Sequence, residues 1–170
     1  MKKLIAILLA ALMLFSVTAC GSASESADSA DTIEKVTAQG DAQLILDDFY
    51  EKMDTEWTAL SLAEALASAD YLPFEGAAAA VEPGWLMGFS ADEITGFQEG
   101  AMFAPMIGTI PFIGYVFTLE EGADVDAFMQ TLKDNADPRW NICTEAEEVV
   151  TAHVGNTVLF VMAPLSFDGE

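Results

Sequence analysis

The stretch Ile110-Pro111-Phe112-Ile113-Gly114-Tyr115-Val116-Phe117-Thr118-Leu119 decides the fold. Nearly every residue in it is apolar, and it combines aromatic with β-branched side chains. A continuous apolar run of this length is typical of a strand that is covered on both faces. We therefore expect residues 110–119 to form the central strand of a sheet.

The chain after this strand predicts a helix. Apolar residues recur at i, i+3, i+4 and i+7 from Val125 to Leu132, which places them on one side of a helix. Asp124 is placed to cap its first turn, and Asp137-Pro138 is placed to end it.

The last part of the chain predicts a hairpin. Two β-rich runs, Glu148–Val154 and Thr157–Met162, are separated only by Gly155-Asn156. A two-residue loop of this composition is typical of a tight turn between antiparallel strands.

The chain before the central strand predicts two helices, Ala42–Lys52 and Ser61–Ala69. The first has an apolar side that includes Ile45, Phe49 and Met53, and the second has two leucines facing inward. The four alanines that follow, 77–80, are read as part of an interruption between regular elements.

Residues 85–97 are expected to form a short strand and a short helix. Pro83-Gly84 marks a turn, after which the apolar run Trp85–Phe89 fits a strand. Ser90-Ala91-Asp92-Glu93 matches a capping box, which predicts a helix that continues through Phe97.

This order of elements predicts an α+β fold. We expect a small, mainly antiparallel sheet of three to four strands with helices packed on one face. We expect residues 41–170 to form a single α+β domain, since about 130 residues can bury a core without disulfides or metals.

The N-terminus has the pattern of a lipoprotein signal. Lys2 and Lys3 precede an apolar run that ends in Val17-Thr18-Ala19-Cys20, where small residues lie before a cysteine. Residues 1–19 are expected to be the lipoprotein signal peptide, and the Cys20 thiol is expected to carry a diacylglyceryl anchor. A plain secretory signal and an uncleaved transmembrane helix are the alternatives, but the apolar run is short for a span.

Residues 20–40 are expected to be a flexible acidic stalk, because small, polar and acidic residues bury too little apolar surface to become ordered. The predicted location is the outer face of the cytoplasmic membrane, with the domain held to the lipid bilayer through Cys20. The formal net charge of −22 disfavours nucleic acid as a partner, because phosphates would be repelled.

Several segments together resemble a group of small uncharacterised lipoproteins from clostridia and related Firmicutes, which share a domain of unknown function. The resemblance covers the lipobox and roughly Trp85 to Pro164, including Gly114–Leu119 and the closing hairpin. It is most specific at Arg139-Trp140-Asn141-Ile142-Cys143-Thr144. The resemblance implies a location and a fold, and it brings no active site with it.

The residues that could carry out chemistry form no known catalytic motif. Acidic side chains cluster in three places, but none has the spacing of a calcium loop, and we interpret the clusters as solvated surface. Cys143 is expected to be a buried, inert thiol, and pairing with His153 as a nucleophile and base is a weak alternative. No cofactor, metal site or catalytic residue is predicted.

Two segments are candidates for partner binding. Residues 100–111 form an apolar segment rich in Gly and Pro that we expect to be a loop, which either folds into the core or presents Met102, Phe103 and Met106 to a partner. Helical spacing of Met102 and Met106, with Met87, would also suit copper. Arg139 and Trp140 are the second candidate, and an internal ion pair of Arg139 with a Glu is the alternative.

We therefore expect a membrane-anchored extracytoplasmic lipoprotein that acts as a non-enzymatic binding or scaffolding module for an envelope protein or a small ligand. A cation-binding lipoprotein, a small envelope enzyme and a transport receptor are the alternatives. An enzyme is disfavoured because the sequence has no recognisable catalytic motif. A transport receptor is disfavoured because it needs two lobes that close on a cleft.

Overall fold

The structure is a computed structural model that describes residues 35–90 and 92–168. The predicted signal peptide 1–19, the predicted lipid-attachment residue Cys20 and the first part of the predicted stalk lie outside the described residues.

The centre of the domain is an antiparallel sheet of five strands in the order β1-β2-β3-β5-β4. The strands are β1 Gly76–Val81, β2 Glu99–Pro105, β3 Ile113–Thr118, β4 Glu148–Val154 and β5 Thr157–Ala163. The predicted central strand is confirmed as β3, and the predicted hairpin is confirmed as β4 and β5. The α+β class is confirmed, but the prediction of three to four strands was wrong.

The two additional strands are β1 and β2, which the sequence did not reveal. The four alanines that were expected to interrupt the regular elements lie in β1. Residues 100–105 of the expected 100–111 loop lie in β2. All six residues of β1 pair without a break to β2, from Gly76 opposite Pro105 to Val81 opposite Gly100.

The sheet has a buried core on each face, because alternate residues of a strand point to opposite sides. Phe103, Val116 and Leu159 belong to the first core, together with the inner sides of two helices. Tyr115, Phe117 and Phe160 belong to the second core, which also contains Phe128 and Leu132 from the third helix. The prediction that all helices share one face was therefore wrong.

The described part of the chain contains three helices, and they follow local signals in the sequence. They are α1 Ala42–Lys52, α2 Ala59–Ala67 and α3 Val125–Asn135. The bounds of α1 are those predicted, and α2 begins two residues earlier than expected because the Thr58 hydroxyl accepts a hydrogen bond from the Ser61 amide. Asp124 caps α3 as predicted, since its carboxylate accepts the Ala127 amide.

The described residues of the segment, 82–90 and 92–98, form neither the predicted strand at Trp85–Phe89 nor the predicted helix through Phe97. The Ile94 amide donates to the Gly84 carbonyl at 2.8 Å, and the Gly84 amide donates to the Ile94 carbonyl at 2.9 Å. This antiparallel bridge joins the two ends of a loop, so the Ile94 amide is not available for a helical hydrogen bond. Ile94 and Phe97 are buried in the second core. Burial of these side chains against the sheet explains why the capping-box pattern does not start a helix here.

Residues 35–40, the last part of the predicted stalk, make defined contacts with the domain. The Val36 amide donates to the Tyr50 hydroxyl at 3.0 Å, and the Lys35 ammonium lies 5.2 Å from the centre of the Tyr50 ring. The Gln39 amide donates to the Glu148 carboxylate at 3.2 Å. The contacts of the domain thus begin before residue 41.

Candidate binding cleft

An apolar cleft of about 340 Å³ opens beside the end of β2. It is lined by residues from three separate parts of the chain, namely Met87, Ala104, Pro105, Gly108, Ile110, Phe112, Trp140 and Asn141. Its volume is at the lower end of the range of small-molecule sites. The cleft is therefore large enough for one aromatic or branched side chain, or for a small ligand.

The wall that carries Met87 is fixed by two hydrogen bonds and by the close approach of Gly88 to β5. The Tyr115 hydroxyl, buried in the sheet, donates to the Met87 carbonyl at 2.7 Å. The Asp137 amide donates to the Gly88 carbonyl at 2.9 Å. Gly88 has a φ of +83°, and a Cβ there would lie 2.8 Å from the Met162 side chain, so only glycine lets the loop lie this close to β5.

Burial raises the pKa of the Tyr115 phenol well above its ordinary value. The neutral phenol is therefore the form present at every ordinary pH, and it is the form that can donate to the Met87 carbonyl. The hydrogen bond links the central strand directly to one wall of the cleft.

The opposite wall carries Trp140 on a turn that follows α3. The Asp137 carboxylate accepts the Arg139 amide at 3.0 Å, and the Asp137 carbonyl accepts the Trp140 amide at 3.0 Å. Trp140 packs against the second core and is half-buried. The turn therefore holds the ring in place while leaving part of it free to contact a ligand.

The third wall is the loop between β2 and β3, residues 106–112. The loop begins where the Met106 amide donates to the Glu75 carbonyl at 2.9 Å. It ends at Phe112, whose buried ring lies 5.4 to 5.6 Å from the ring centres of Phe74, Phe103 and Phe167. This aromatic cluster anchors the base of the loop, while residues 106–109 are exposed.

The chain segments that form the walls of the cleft carry no charged side chains. Residues 84–90, 100–119 and 140–144 contain no Asp, Glu, Lys or Arg, although the whole chain carries 28 acidic residues. The same segments expose large apolar side chains, with Met87 59%, Met106 66%, Ile107 89% and Ile142 90% accessible. Concentration of exposed apolar groups in one uncharged region is typical of an interaction surface.

The predicted partner-binding residues are placed in different ways. Trp140 lines the cleft, and Met106 lies on the loop that forms one wall of it. Met102 is half-buried on the side of β2 that faces the second core, and Phe103 is fully buried in the first core. The Phe103 side chain therefore supports the fold and is not accessible to a partner.

Arg139 is exposed and pairs with Glu145 at 3.8 Å, so the ion pair is on the surface and not internal as the alternative supposed. Exposed pairs contribute about 0 to 1 kcal/mol to stability. Replacement of Arg139 by Ala is therefore expected to leave the fold intact.

The sequence did not identify most of the residues that line the cleft. Four lining residues have side chains that do not by themselves indicate a binding site, because they contribute through their position in the fold. They are Ala104, Pro105, Gly108 and Asn141. The apolar 100–111 segment and Trp140 were the usable signs, and the sequence left open whether that segment was core or surface.

The remaining chemical candidates are not assembled into a site. Met102 lies within β2 and Met106 follows its end, so the helical spacing proposed for copper is absent. Cys143 is exposed, which contradicts the expected buried thiol. The His153 imidazole lies on β4 and its Nδ1 is 3.1 Å from the Gly155 carbonyl oxygen. Within residues 35–90 and 92–168, no group of three or more His, Cys, Asp or Glu is placed to hold a metal ion.

Among the residues that the structure describes, no helix has both the length and the apolar character needed to span a membrane. The chain matches no protein-family model, and comparisons with curated proteins and with solved structures likewise give no match.

Proposed function

We propose that this chain is an extracytoplasmic lipoprotein, anchored through Cys20 to the outer face of the cytoplasmic membrane, whose domain is a non-enzymatic binding module. The cleft holds an apolar group of an envelope protein or of a small ligand. The lipobox pattern and the resemblance to small lipoproteins support the location, and the cleft supports binding.

The observation that carries the proposal is the apolar, uncharged cleft on a chain of net charge −22. Acidic side chains over the rest of the surface keep such a protein soluble and separate, so an uncharged region with several exposed apolar groups is unlike its surroundings. Burial of one such side chain by a partner contributes roughly 1.5 to 3 kcal/mol. The exposed side chains of Met87, Met106 and Ile107 can therefore supply a useful part of a binding energy.

The chemical groups that line the cleft favour binding over catalysis. Its walls are made of thioether, aromatic, aliphatic and backbone groups, with the Asn141 amide as the polar side chain among the lining residues. A general acid or base must lie within hydrogen-bond reach of the reacting group. The lining residues include no Asp, Glu, His, Lys or Cys that could take that role.

Binding is tested by cross-linking the intact protein in its own cells and identifying what is captured with it. Trp140→Ala should lose the recurrent partner, because the indole forms one wall of the cleft. Trp85→Ala is the matched control, since Trp85 is 68% exposed on the segment that carries Met87 but does not line the cleft. Capture that is equal in both variants would refute the cleft as the binding site.

The lipid anchor is tested separately with Cys20→Ser. Metabolic labelling with an alkyne fatty acid should mark the unmodified protein and not the variant, and the variant should leave the membrane fraction. Labelling that persists in the variant would refute the anchor and leave the binding proposal unaffected.

A further inference from the structure

The first strand of the sheet, β1, is an edge strand that lies next to the cleft. Among the described residues it pairs only with β2, and so its outer backbone N–H and C=O groups are open to another strand. Ala77, Ala79 and Ala80 are exposed. The strand therefore presents six residues of backbone with little side-chain bulk in the way.

The edge lacks the features by which proteins normally prevent strands from adding to a sheet. Those features are charged side chains on the strand, proline, a bulge or a cover. β1 reads Gly-Ala-Ala-Ala-Ala-Val, which has no charge and no proline, and its pairing to β2 is unbroken. An open, regular edge in a natural protein indicates that pairing with a partner strand is tolerated or used.

The charges at the two ends of β1 define which partner strand is favoured. Glu75 precedes the strand and Glu82 follows it, and both side chains are exposed. Glu75 and Glu82 are seven positions apart, so in an extended chain their Cα atoms lie about 23 Å apart. A partner strand with Lys or Arg near each end would place its cations beside them, whereas a second copy of this acidic chain would be repelled.

The edge and the cleft are adjacent. Gly76 of β1 is opposite Pro105, which lines the cleft, and the Glu75 carbonyl accepts the amide of Met106 at the start of the cleft loop. A strand added along β1 therefore ends beside the cleft. The side chains of the added strand that point to the same face as Ala77 and Ala79 share that face of the sheet with Ala104 and Met102, the partners of these alanines on β2.

We propose that β1 accepts an extended, positively charged segment of a partner protein, which adds to the sheet as a sixth strand and directs an apolar side chain toward the cleft. This inference rests on the proposed binding function and deepens it by naming the class of partner. Main-chain hydrogen bonds supply affinity in this mode, and the cleft and the flanking carboxylates supply selectivity.

The test uses a random dodecapeptide library displayed on phage, selected against the full chain, with the selected peptides then synthesised. Selected peptides should carry a net positive charge. Hydrogen–deuterium exchange should show that they slow the exchange of outward-facing amides in residues 76–81. Fluorescence anisotropy then measures the affinity of each peptide for the variants.

Two variants and two matched controls separate pairing from general electrostatics. Ala79→Lys should abolish binding, because a lysine on an open edge blocks pairing and repels a cationic strand. Ala127→Lys is the same change at an exposed site on α3 and should leave binding unchanged. The double change Glu75→Gln and Glu82→Gln should weaken binding about fivefold, on the scale of two exposed charge pairs. The same change at Glu120 and Glu121 should have little effect.

The outcomes are distinct. Slow exchange of all β1 amides in the free protein would show that the edge is already covered, by the chain's own N-terminal residues or by a second copy, and would overturn the inference. Anionic or purely apolar selected peptides, or a library without binders, would overturn it too. Peptides that protect residues 86–88 and 140–141 but not β1 would overturn it while supporting the cleft. Peptides that protect β1 and are insensitive to Trp140→Ala would support the edge and refute the cleft.

Discussion

Among the residues that the structure describes, the buried Thr151 hydroxyl on β4 has no hydrogen-bond partner, and the residue is 2% exposed. A buried polar group without a partner loses its hydrogen bonds to water and gains none in return. Thr151→Val replaces the hydroxyl by a methyl group of similar size. We expect it to raise the free energy of unfolding by about 1 kcal/mol, measured by urea denaturation. A decrease of that size would mean that the hydroxyl is hydrogen-bonded in solution.

Gly114 in the central strand leaves room for the ring of Phe103 on the neighbouring strand. A Cβ at Gly114 would lie 2.2 Å from the tip of that ring, and the two residues are opposite each other in β2 and β3. Because the ring is held in a packed core, it cannot move aside without strain. We expect Gly114→Ala to destabilise the fold by about 1 to 3 kcal/mol in the same urea assay. Phe103→Leu in the Gly114→Ala background should recover part of the loss, and no recovery would contradict this explanation.

Tyr115 connects the central strand to the cleft through its hydrogen bond to the Met87 carbonyl. Tyr115→Phe leaves that carbonyl without its donor and should cost about 1 to 2 kcal/mol of stability. The 85–90 segment should then exchange its amides faster, and binding in the cleft should weaken. Unchanged exchange of residues 86–90 in the variant would show that the Asp137 amide alone holds this wall.

The raised pKa of Tyr115 also predicts how stability depends on pH. The folded state keeps the phenolic proton that the unfolded chain loses above its ordinary pKa of about 10. Stability should therefore be constant below pH 10 with respect to this group and fall as the pH rises further. Burial, together with Asp48, raises the pKa of Tyr71 in the same direction. Replacement of both tyrosines by Phe should flatten the alkaline decline, and an equally steep decline would show that other groups cause it.

At the scale of the element, the helices and the hairpin could be predicted because their signals are local. α1 and α3 each have an apolar side with helical spacing, and Asp124 caps α3 through a residue three positions away. The turn at Gly155-Asn156 fixes the register of β4 and β5 along the whole hairpin, from Val154 opposite Thr157 to Glu148 opposite Ala163. No distant contact is needed for any of these features.

β1 could not be predicted from its own residues. A run of alanines has low strand propensity, and it becomes a strand because β2 pairs with it and α2 covers one side. Gly76 allows that cover, since a Cβ there would lie 2.5 Å from the Ala67 carbonyl oxygen. The predicted helix near Ser90 did not form for a related reason. In a capping box the Ser90 amide would donate to the Glu93 side chain, but here it donates to the Asn135 carbonyl at 2.7 Å. In both places a tertiary contact outweighs the local preference.

The two-residue loop of the β4–β5 hairpin offers a test of the turn itself. Gly155 has a φ of +57° and its Cβ position is free of neighbours, so Gly155→Ala adds only backbone strain. We expect it to cost about 1 kcal/mol in urea denaturation. Gly108→Ala is the matched control, because its Cβ position is also free and its φ is not positive. An equal loss at both positions would mean that the turn conformation is not the cause.

At the scale of the whole molecule, the cleft arises where three segments meet that are far apart in the chain. Met87, Pro105 and Trp140 come from the loop before β2, the end of β2 and the turn after α3. Sequence reasoning found Trp140 because Arg with Trp is a composition favoured at contacts. The sequence could not show that Met87 and Pro105 lie near that tryptophan, since this depends on the order of strands in the sheet and on the hydrogen bonds of Tyr115 to Met87 and of Asp137 to Gly88.

The charge of the molecule predicts how the fold responds to salt. The described residues include two ion pairs, Lys52 with Asp48 at 3.0 Å and Arg139 with Glu145 at 3.8 Å, whereas the chain has 28 acidic and 6 basic residues. Most carboxylates therefore repel one another, and this repulsion opposes the compact state. Raising NaCl from about 10 to about 150 mM shortens the Debye length from roughly 30 to roughly 8 Å, so the urea midpoint should rise.

The same measurement separates general screening from a specific cation site. KCl should stabilise the protein as much as NaCl, because screening depends on ionic strength and not on the identity of the cation. CaCl₂ at matched ionic strength should give a comparable shift if the acidic clusters are only solvated surface. A bound ion instead stabilises by the logarithm of its concentration over its dissociation constant, and the midpoint would keep rising with calcium beyond the NaCl curve. Such a rise would support the cation-binding alternative, and Glu120→Gln with Glu121→Gln would then show whether that cluster holds the ion.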